Sequence, residues 1–284
     1  MKKCGYVALV GNTNAGKSTL LNKLVGQKIS IVSPKKQTTR DNIIGILTSG
    51  NTQIVFVDTP GIHKSKTLLD KSMNKQIRTA TESVDLVLYL TDSVKSVSEE
   101  QISYLSKLKE KEIPIVVLLT KIDISNKERI YSAMESLKEL NLDIIPISTF
   151  RNKNLDILLS KIEDFLPECE NFIYDEDELT DKSVKFISKE IIREKMLYLL
   201  EDEIPHGIAI DITLFDEESG EIHADIICEK ASHKGIIIGK GGLMLKEIGT
   251  RARKDIEKLI GRKVNLKLFV KVEENWRNKN LFNN

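Results

Sequence analysis

The chain has little cysteine and no long apolar run. Its three cysteines, Cys4, Cys169 and Cys228, are odd in number, scattered and without metal-ligand spacing. That excludes a disulfide framework and predicts reduced thiols in a cytosolic protein. No apolar stretch approaches the ~18 residues of a membrane-spanning helix. The opening MKKCGYVALVGNT sets two lysines before an apolar segment. That segment is short and runs straight into a glycine motif, so it reads as a buried strand and not a signal peptide. The four histidines are dispersed and form no ligand set, and no internal repeat or low-complexity tract is present. Net charge is nearly absent too, at +1, yet its distribution is uneven. Cys228–Asn284 holds 14 Lys and Arg against 6 Asp and Glu, a net of +8 that the remaining residues offset with −7. A basic C-terminal module points to a polyanionic partner, against the plainer reading of a solvated charged face.

With 284 residues, 40% apolar and 30% charged, the chain has material for two ordinary domains. Through residue 165, short β-branched runs alternate with helical patterns, the rhythm of a doubly wound, mostly parallel α/β sheet. Six strands are expected, over 6–10, 43–48, 53–58, 86–91, 113–120 and 143–147, with helices over 17–25, after residue 66, and over 98–110, 126–140 and 154–165. The runs 86–91 and 113–120 are almost wholly apolar, as strands covered by helices on both faces require. The stretch 167–181 breaks this rhythm with a proline and the acidic run 175–178. It predicts a self-repelling, extended linker at 169–182 between a first domain at 1–168 and a second at 183–284. The second domain reads as a helix over 183–200, then two alternating strands over 208–214 and 222–226 around a Ser219-Gly220 turn. A further apolar segment and glycine turn through 242, a helix over 243–260 and a strand over 264–272 complete it.

Gly11-Asn12-Thr13-Asn14-Ala15-Gly16-Lys17-Ser18 fits the G-x-x-x-x-G-K-[ST] phosphate-binding loop, following an expected strand and opening an expected helix. Its backbone N–H groups and the positive end of the helix face the phosphates. Lys17 is placed to reach the β- and γ-phosphates, and the Ser18 hydroxyl to ligate Mg2+. Asp58-Thr59-Pro60-Gly61 ends a strand, where Asp58 can hold Mg2+ through water and the Gly61 N–H can bind a γ-phosphate and be withdrawn when it leaves. The polar segment 33–41 offers a threonine that completes the Mg2+ shell only while the γ-phosphate is present. Thr39 is favoured over Thr38, with two ordinary loop threonines as the alternative.

Thr120-Lys121-Ile122-Asp123 follows a buried strand. Asp123 can accept from guanine N1–H and N2–H2, donors that adenine lacks, so it selects GTP over ATP. Lys121 would lie across the base plane, and Ser148-Thr149 would bring a backbone N–H to guanine O6. In the basic module, Gly239-Lys240-Gly241-Gly242 is a Gly-x-x-Gly turn through which single-stranded nucleic acid can approach the backbone, while a neighbouring groove reads about four bases. Lys234, Gly235, Ile236, Ile237, Lys246 and Arg251 join it as expected RNA contacts, Arg253 and Lys254 line the same following helix, and Arg262 and Lys263 lie past its end. The apolar pair serves either the core or base edges.

The strings GNTNAGKST, QTTRD, DTPGIH and TKID, in this order and spacing, resemble the translation-factor-related GTPases and, more narrowly, the Era-type family of bacterial GTPases. YDEDELTDKSVKFISKEIIREKM and KGIIIGKGG resemble that family's C-terminal half, so the resemblance runs from Tyr6 to about Trp276. It implies a P-loop GTPase α/β domain followed by an α+β type II KH domain. It also implies a GTP/GDP and Mg2+ switch with Lys17, Asn14, Thr39 and Gly61 in hydrolysis, and a K+ ion near Asn14. The implied partner is the 3′ end of 16S rRNA during assembly of the small (30S) ribosomal subunit. The implied setting is a cytoplasmic monomer in peripheral contact with the inner membrane surface. Two departures stand out. Thr120 replaces the asparagine of Asn-Lys-x-Asp and predicts weaker guanine binding. Thr149 replaces an alanine whose role is a backbone one. Apart from these, Ile62 occupies the position where Ras-like proteins place a water-orienting glutamine, so unaided hydrolysis should be slow. The competing readings are an RNA-binding assembly factor with a merely structural nucleotide site, which Ile62 and Thr120 favour, and a P-loop ATPase or kinase, which Asp123 disfavours.

Overall fold

The computed structural model describes residues 1–33, 35, 42–62, 77, 79–201 and 207–274, which fall into two compact units: Met1–Val32 with Lys36–Asp181, and Ser33–Lys35 with Lys182–Asn284. The first unit is built on β1 (Lys2–Gly11), β2 (Ile43–Ser49), β3 (Thr52–Asp58), β4 (Leu86–Asp92), β5 (Ile115–Thr120), β6 (Asp143–Pro146) and a two-residue β7 (Glu168–Cys169). They form a seven-stranded sheet of order β2-β3-β1-β4-β5-β6, with β7 pairing β1. β1, β3, β4, β5 and β6 are parallel, β2 forms an antiparallel hairpin with β3, and β7 is antiparallel to β1. All six residues of β5 and the first six of β4 are buried, the mark of strands covered on both faces. Registers Leu9↔Asp58, Gly11↔Leu90, Asp92↔Thr120 and Leu119↔Pro146 bring the parallel strands' C-terminal ends to one edge, where an open α/β sheet binds its ligands.

Helices α1 (Lys17–Val25), α2 (Glu99–Lys109), α3 (Lys127–Leu137) and α4 (Leu155–Phe165) connect these strands. Local chemistry starts and stops them. Ser98 and Gln101 form a capping box on α2, the Asn126 carboxamide accepts from Arg129 N at the start of α3, and Gly26 in the left-handed region ends α1. The helix expected after residue 66 lies largely outside the described residues.

The stretch expected as a free linker belongs to the first unit up to Asp181 and is tied down along the sheet edge. Cys169 pairs with Lys2, the Cys4 thiol donates to Asn171 O, and Ile46 N donates to Leu179 O. The Thr180 hydroxyl donates to Ile44 O at 2.6 Å. At the centre, Gln53, 0% exposed, spends its whole amide on this strap. Its Oε1 accepts from Ile173 N and Tyr174 N at 2.9 Å each, and its Nε2 donates to Tyr174 O and Thr48 Oγ1. Charge repulsion within Asp175–Glu178 is outweighed because polar backbone groups beside a buried sheet edge need partners and find them there.

The second unit holds α5 (Val184–Leu199), β8 (Ile208–Phe215), β9 (Glu221–Cys228), α6 (Ala231–Ile238), α7 (Leu243–Ile260) and β10 (Asn265–Val272). The sheet order is β10-β9-β8, with β8 antiparallel and β10 parallel to β9. Ile210, Ile212, Ile222, Ala224 and Ile226 on one sheet face and Ile248, Ala252 and Ile256 on α7 are all buried. This is the helix–strand–strand–helix–helix–strand order expected, with α6 beginning earlier than the apolar run alone suggested.

Candidate nucleotide and nucleic-acid sites

The phosphate loop joins β1 to α1. Gly16, left-handed at φ 98, caps the helix, and Asn14 is left-handed at φ 63. The Lys17 ammonium is buried and donates to Gly11 O at 2.9 Å and Asn12 O at 3.1 Å, which holds it over the loop. Burial pushes its pKa down to about 8, against the opposing pull of Asp58. Asp58 itself is pushed up by burial, with the Lys17 charge and the hydroxyls of Ser18 and Ser30 pulling back.

The Ser18 hydroxyl donates to Asp58 Oδ2 at 2.6 Å and the Ser30 hydroxyl to the same oxygen at 2.9 Å, whereas the buried Asp58 Oδ1 has no partner. A hard cation suits this set: one hydroxyl, one carboxylate and an unspent buried oxygen. Among the described residues no group of three His, Cys, Asp or Glu forms a self-sufficient metal site. Ser30 was not legible as a functional residue. It is delivered by Asn22, whose carboxamide accepts from Ile29 N and Ser30 N and donates to Ser30 O.

Gly61 sits against the loop so closely that a Cβ would lie 2.6 Å from Thr13 Cγ2 and 2.9 Å from Thr13 N, so only glycine lets the two backbones meet. Ile62 N donates to Gly11 O at 3.0 Å. The Ile62 side chain packs on the core cluster containing Ala8, Val10 and Tyr89, and offers no polar atom to a water. The Thr59 hydroxyl is used by Leu9 O at 2.8 Å, and Pro60 is buried, so these two shape the turn. Thr38 and Thr39 lie outside the described residues.

At the base end, Thr120 stands where an asparagine was expected. Its hydroxyl donates to Ala15 O at 2.8 Å and approaches Thr91 O at 3.2 Å, tying β5 to the phosphate loop. Lys121 is left-handed at φ 61, with its ammonium 2.8 Å from Asp92 Oδ2. Asp92 is a residue that sequence reasoning missed. Asp123 is exposed and accepts from the Ser148 hydroxyl at 2.6 Å. Ile122 N donates to Ile147 O, so Ile122 and Ser148 brace the loop while Thr149 remains half-exposed beside it.

In the second unit, α6 ends where Gly239 N donates to Gly235 O, and the chain turns through Gly239, Gly241 and Gly242 at positive φ. A groove of about 380 Å³ follows, between α7 and β10. Gly242, Lys246, Thr250 and Arg253 line it, with Leu266 and Leu268 across from them. Lys234, Gly235 and Lys240 remain at the surface near the turn. The structure sets two of the expected contacts apart from this groove. Ile237 is 0% exposed and belongs to the core, leaving the 48%-exposed Ile236 as the apolar candidate. Arg251 lies off the groove: it pairs with Glu247 at 2.6 Å and borders a separate basic concavity of about 700 Å³ with Lys254, Lys258, Arg262 and Lys263. Positions 246, 250 and 253 share one helix face and 251, 254 and 258 another, which is why Arg253 and not Arg251 lines the groove.

Comparison with known proteins agrees with this geometry. Residues 6–121 match the family described as 50S ribosome-binding GTPase, and residues 203–277 match the KH domain. GTPase Era of Clostridium botulinum (strain Alaska E43 / Type E3) is 47% identical over 287 residues, spanning 99% of this chain and 97% of that protein. GTPase Era of Caldanaerobacter subterraneus subsp. tengcongensis is 46% identical over 97% of this chain and 94% of its own. Among solved structures, Era in complex with MgGDPNP and nucleotides 1506–1542 of 16S ribosomal RNA superposes with a TM-score of 0.92 at 38% identity, covering 99% of this chain and 97% of that one. A variant of Aquifex aeolicus Era bound to GDP and aluminium fluoride gives a TM-score of 0.92 at 37% identity, covering 98% and 96%. The chain belongs to the Era family of GTPases, with a P-loop nucleotide-binding domain followed by a KH domain.

Proposed function

We propose that this chain is a GTP-hydrolysing switch whose KH domain binds the 3′ end of 16S rRNA during assembly of the small ribosomal subunit. The observation that carries the nucleotide half is the buried set of Lys17, Ser18 and Asp58 under the phosphate loop, with Asp58 Oδ1 unspent. Lys17 neutralises charge on the β- and γ-phosphate oxygens, and the loop's N–H groups fix their positions. Ser18 and Asp58 would hold Mg2+, with Thr39 joining them in the GTP state; when bound, the ion supplies charge neutralisation between the β- and γ-phosphates. Gly61 supplies an N–H toward the γ-phosphate, and Asp123 and Thr149 read the base.

Ile62 provides no group to orient the attacking water, so the chain's own turnover is slow. K+ beside Asn14 is the proposed helper, and an unchanged rate when Na+ replaces K+ removes it from the scheme. RNA enters along the glycine turn and the groove edged by Lys246, Thr250 and Arg253, with phosphates toward Lys240. The support for the RNA partner is the KH fold, the +8 module and the 16S rRNA fragment held by the related Era.

Coupling between the two halves runs by linkage, so RNA and GTP change each other's affinity by the same factor. The strap offers the route: Leu179 and Thr180 bond to Ile46 and Ile44 of β2, the strand that leads out of the 33–41 segment. The protein acts in the cytoplasm as a monomer. No described helix is long and apolar enough to cross a membrane; peripheral contact would use the basic concavity around Lys254 and Lys258, tested by sedimentation with anionic vesicles.

The deciding experiment is multiple-turnover phosphate release from GTP, with Lys17→Ala as control. Turnover lost in the variant establishes the enzyme. Tight nucleotide binding without turnover, with or without RNA, would favour the structural-site reading that Ile62 keeps open.

A further inference from the structure

Ser30 is 0% exposed, and a buried hydroxyl must find a partner or lose free energy. It finds one far along the chain: the hydroxyl donates to Asp58 Oδ2 at 2.9 Å. The placement is built from α1. Asn22 stands one turn after Ser18 on that helix, so the two share a face. The Asn22 carboxamide accepts from Ile29 N and Ser30 N at 2.9 Å each and donates to Ser30 O at 2.6 Å. Ile29 and Ile31 are buried on either side. α1 therefore brings two hydroxyls to one carboxylate, Ser18 directly and Ser30 through Asn22.

Asp58 Oδ2 accepts both, at 2.6 Å from Ser18 and 2.9 Å from Ser30, which occupies its lone pairs. Two donors anchored on different stretches of chain resist rotation of the carboxylate, and the buried Oδ1 is left unspent. The donors are not equivalent. Ser18 is a Mg2+ ligand in the function proposed above, so its hydroxyl must serve ion and carboxylate together. Ser30 serves the carboxylate.

We propose that Ser30 is a positioning residue of the Mg2+ site: its hydroxyl fixes the Asp58 carboxylate with Oδ1 kept for the ion's shell, and Asn22 holds that hydroxyl in place. Partners that orient a metal-binding carboxylate matter to the metal because a ligand that can turn away must be ordered again each time the ion binds. The inference rests on the reading of Ser18 and Asp58 as the pair that holds Mg2+.

The test is the Mg2+ concentration that half-maximally slows release of fluorescently labelled GDP from the full-length protein, with GDP affinity in EDTA as the ion-free reference. Ser30→Ala should raise that concentration about tenfold, the lower end for loss of an outer partner of a metal site. Its GDP affinity in EDTA should stay within twofold of the parent. In an Asp58→Ala background the same substitution should add nothing, because the carboxylate it orients is gone. A Mg2+ requirement within twofold of the parent in Ser30→Ala overturns the proposal. An equal loss of GDP affinity in EDTA also overturns it, since Ser30 would then only shape the loop, as does a full effect that persists without Asp58. A parent whose GDP release is indifferent to Mg2+ overturns the reading of Ser18 and Asp58 instead.

Discussion

Replacing Gln53 by leucine removes the amide that holds the strap and keeps most of its volume. Four hydrogen bonds end on that amide; three of them reach strap backbone groups, at Ile173 N, Tyr174 N and Tyr174 O. Each is worth about 0.5–1.5 kcal/mol net, and the freed strap groups reach water because Ile173 and its neighbours are surface residues. The three share one side chain and are not additive, so the loss is roughly 2–3 kcal/mol. That corresponds to opening of the strap about 30- to 150-fold more often. The assay is residue-resolved amide hydrogen exchange of Ile173 and Tyr174, the two N–H groups that donate directly to Gln53 Oε1. Exchange there should accelerate by that factor, while amides in the middle of β4 and β5 keep their protection. Protection at Ile173 and Tyr174 within threefold of the parent would refute the idea that this glutamine holds the strap.

Three further outcomes are expected. Lys17 has a folded pKa of about 8, below its ordinary 10.5. The unfolded chain therefore binds more protons between those values, and ligand-free stability rises across that window. Bound phosphate needs the charged form, so apparent GTP affinity falls as pH rises through 8, approaching about tenfold per unit. Calorimetry in buffers of different ionisation heat should show proton uptake on binding near pH 8, and a flat profile from pH 7 to 9 contradicts it. Gly239→Ala puts a Cβ 2.6 Å from Met244 Cβ at φ +73. It should cost the second unit at least about 2 kcal/mol by urea unfolding, and an unchanged midpoint would show the turn to be adaptable. Thr120→Val keeps the shape and removes the tie to Ala15 O. GDP should bind about fivefold more weakly, the value of one buried hydrogen bond, and equal affinity in a titration removes that tie from the account.

The phosphate loop, the Asp58 turn and the six long strands were legible because each is written in contiguous residues: a fixed spacing, or a run of Val, Ile and Leu. What was illegible depends on partners distant in sequence. Glu168–Cys169 has no strand pattern of its own and becomes β7 only because Lys2 and Lys3 offer an edge. Gln53 reads as an ordinary polar residue at the start of an apolar strand, and nothing local announces that it meets Ile173 and Tyr174. The acidic run suggested a free linker because repulsion is visible in sequence, whereas the hydrogen bonds that overcome it are not. Arg251 and Arg253 are two positions apart and equally basic, and only the helix orientation separates groove from flank. Ile237 followed the same logic: one residue from the exposed Ile236, it is wholly inside.

The central claim is that nucleotide and RNA are linked through one molecule. It is tested most directly by GTP turnover in K+ buffer, with and without a short single-stranded RNA matching the 16S rRNA 3′ end, in the parent and in Gly241→Asp. Gly241 is left-handed at φ +59, a conformation that strains any side chain but that aspartate adopts more readily than most. With open space at its Cβ position, an aspartate there places a negative charge where phosphates approach. The account predicts RNA stimulation in the parent that disappears in Gly241→Asp, with basal turnover equal in both. Tight RNA binding by the parent with turnover indifferent to it would contradict the account, leaving two domains that act independently.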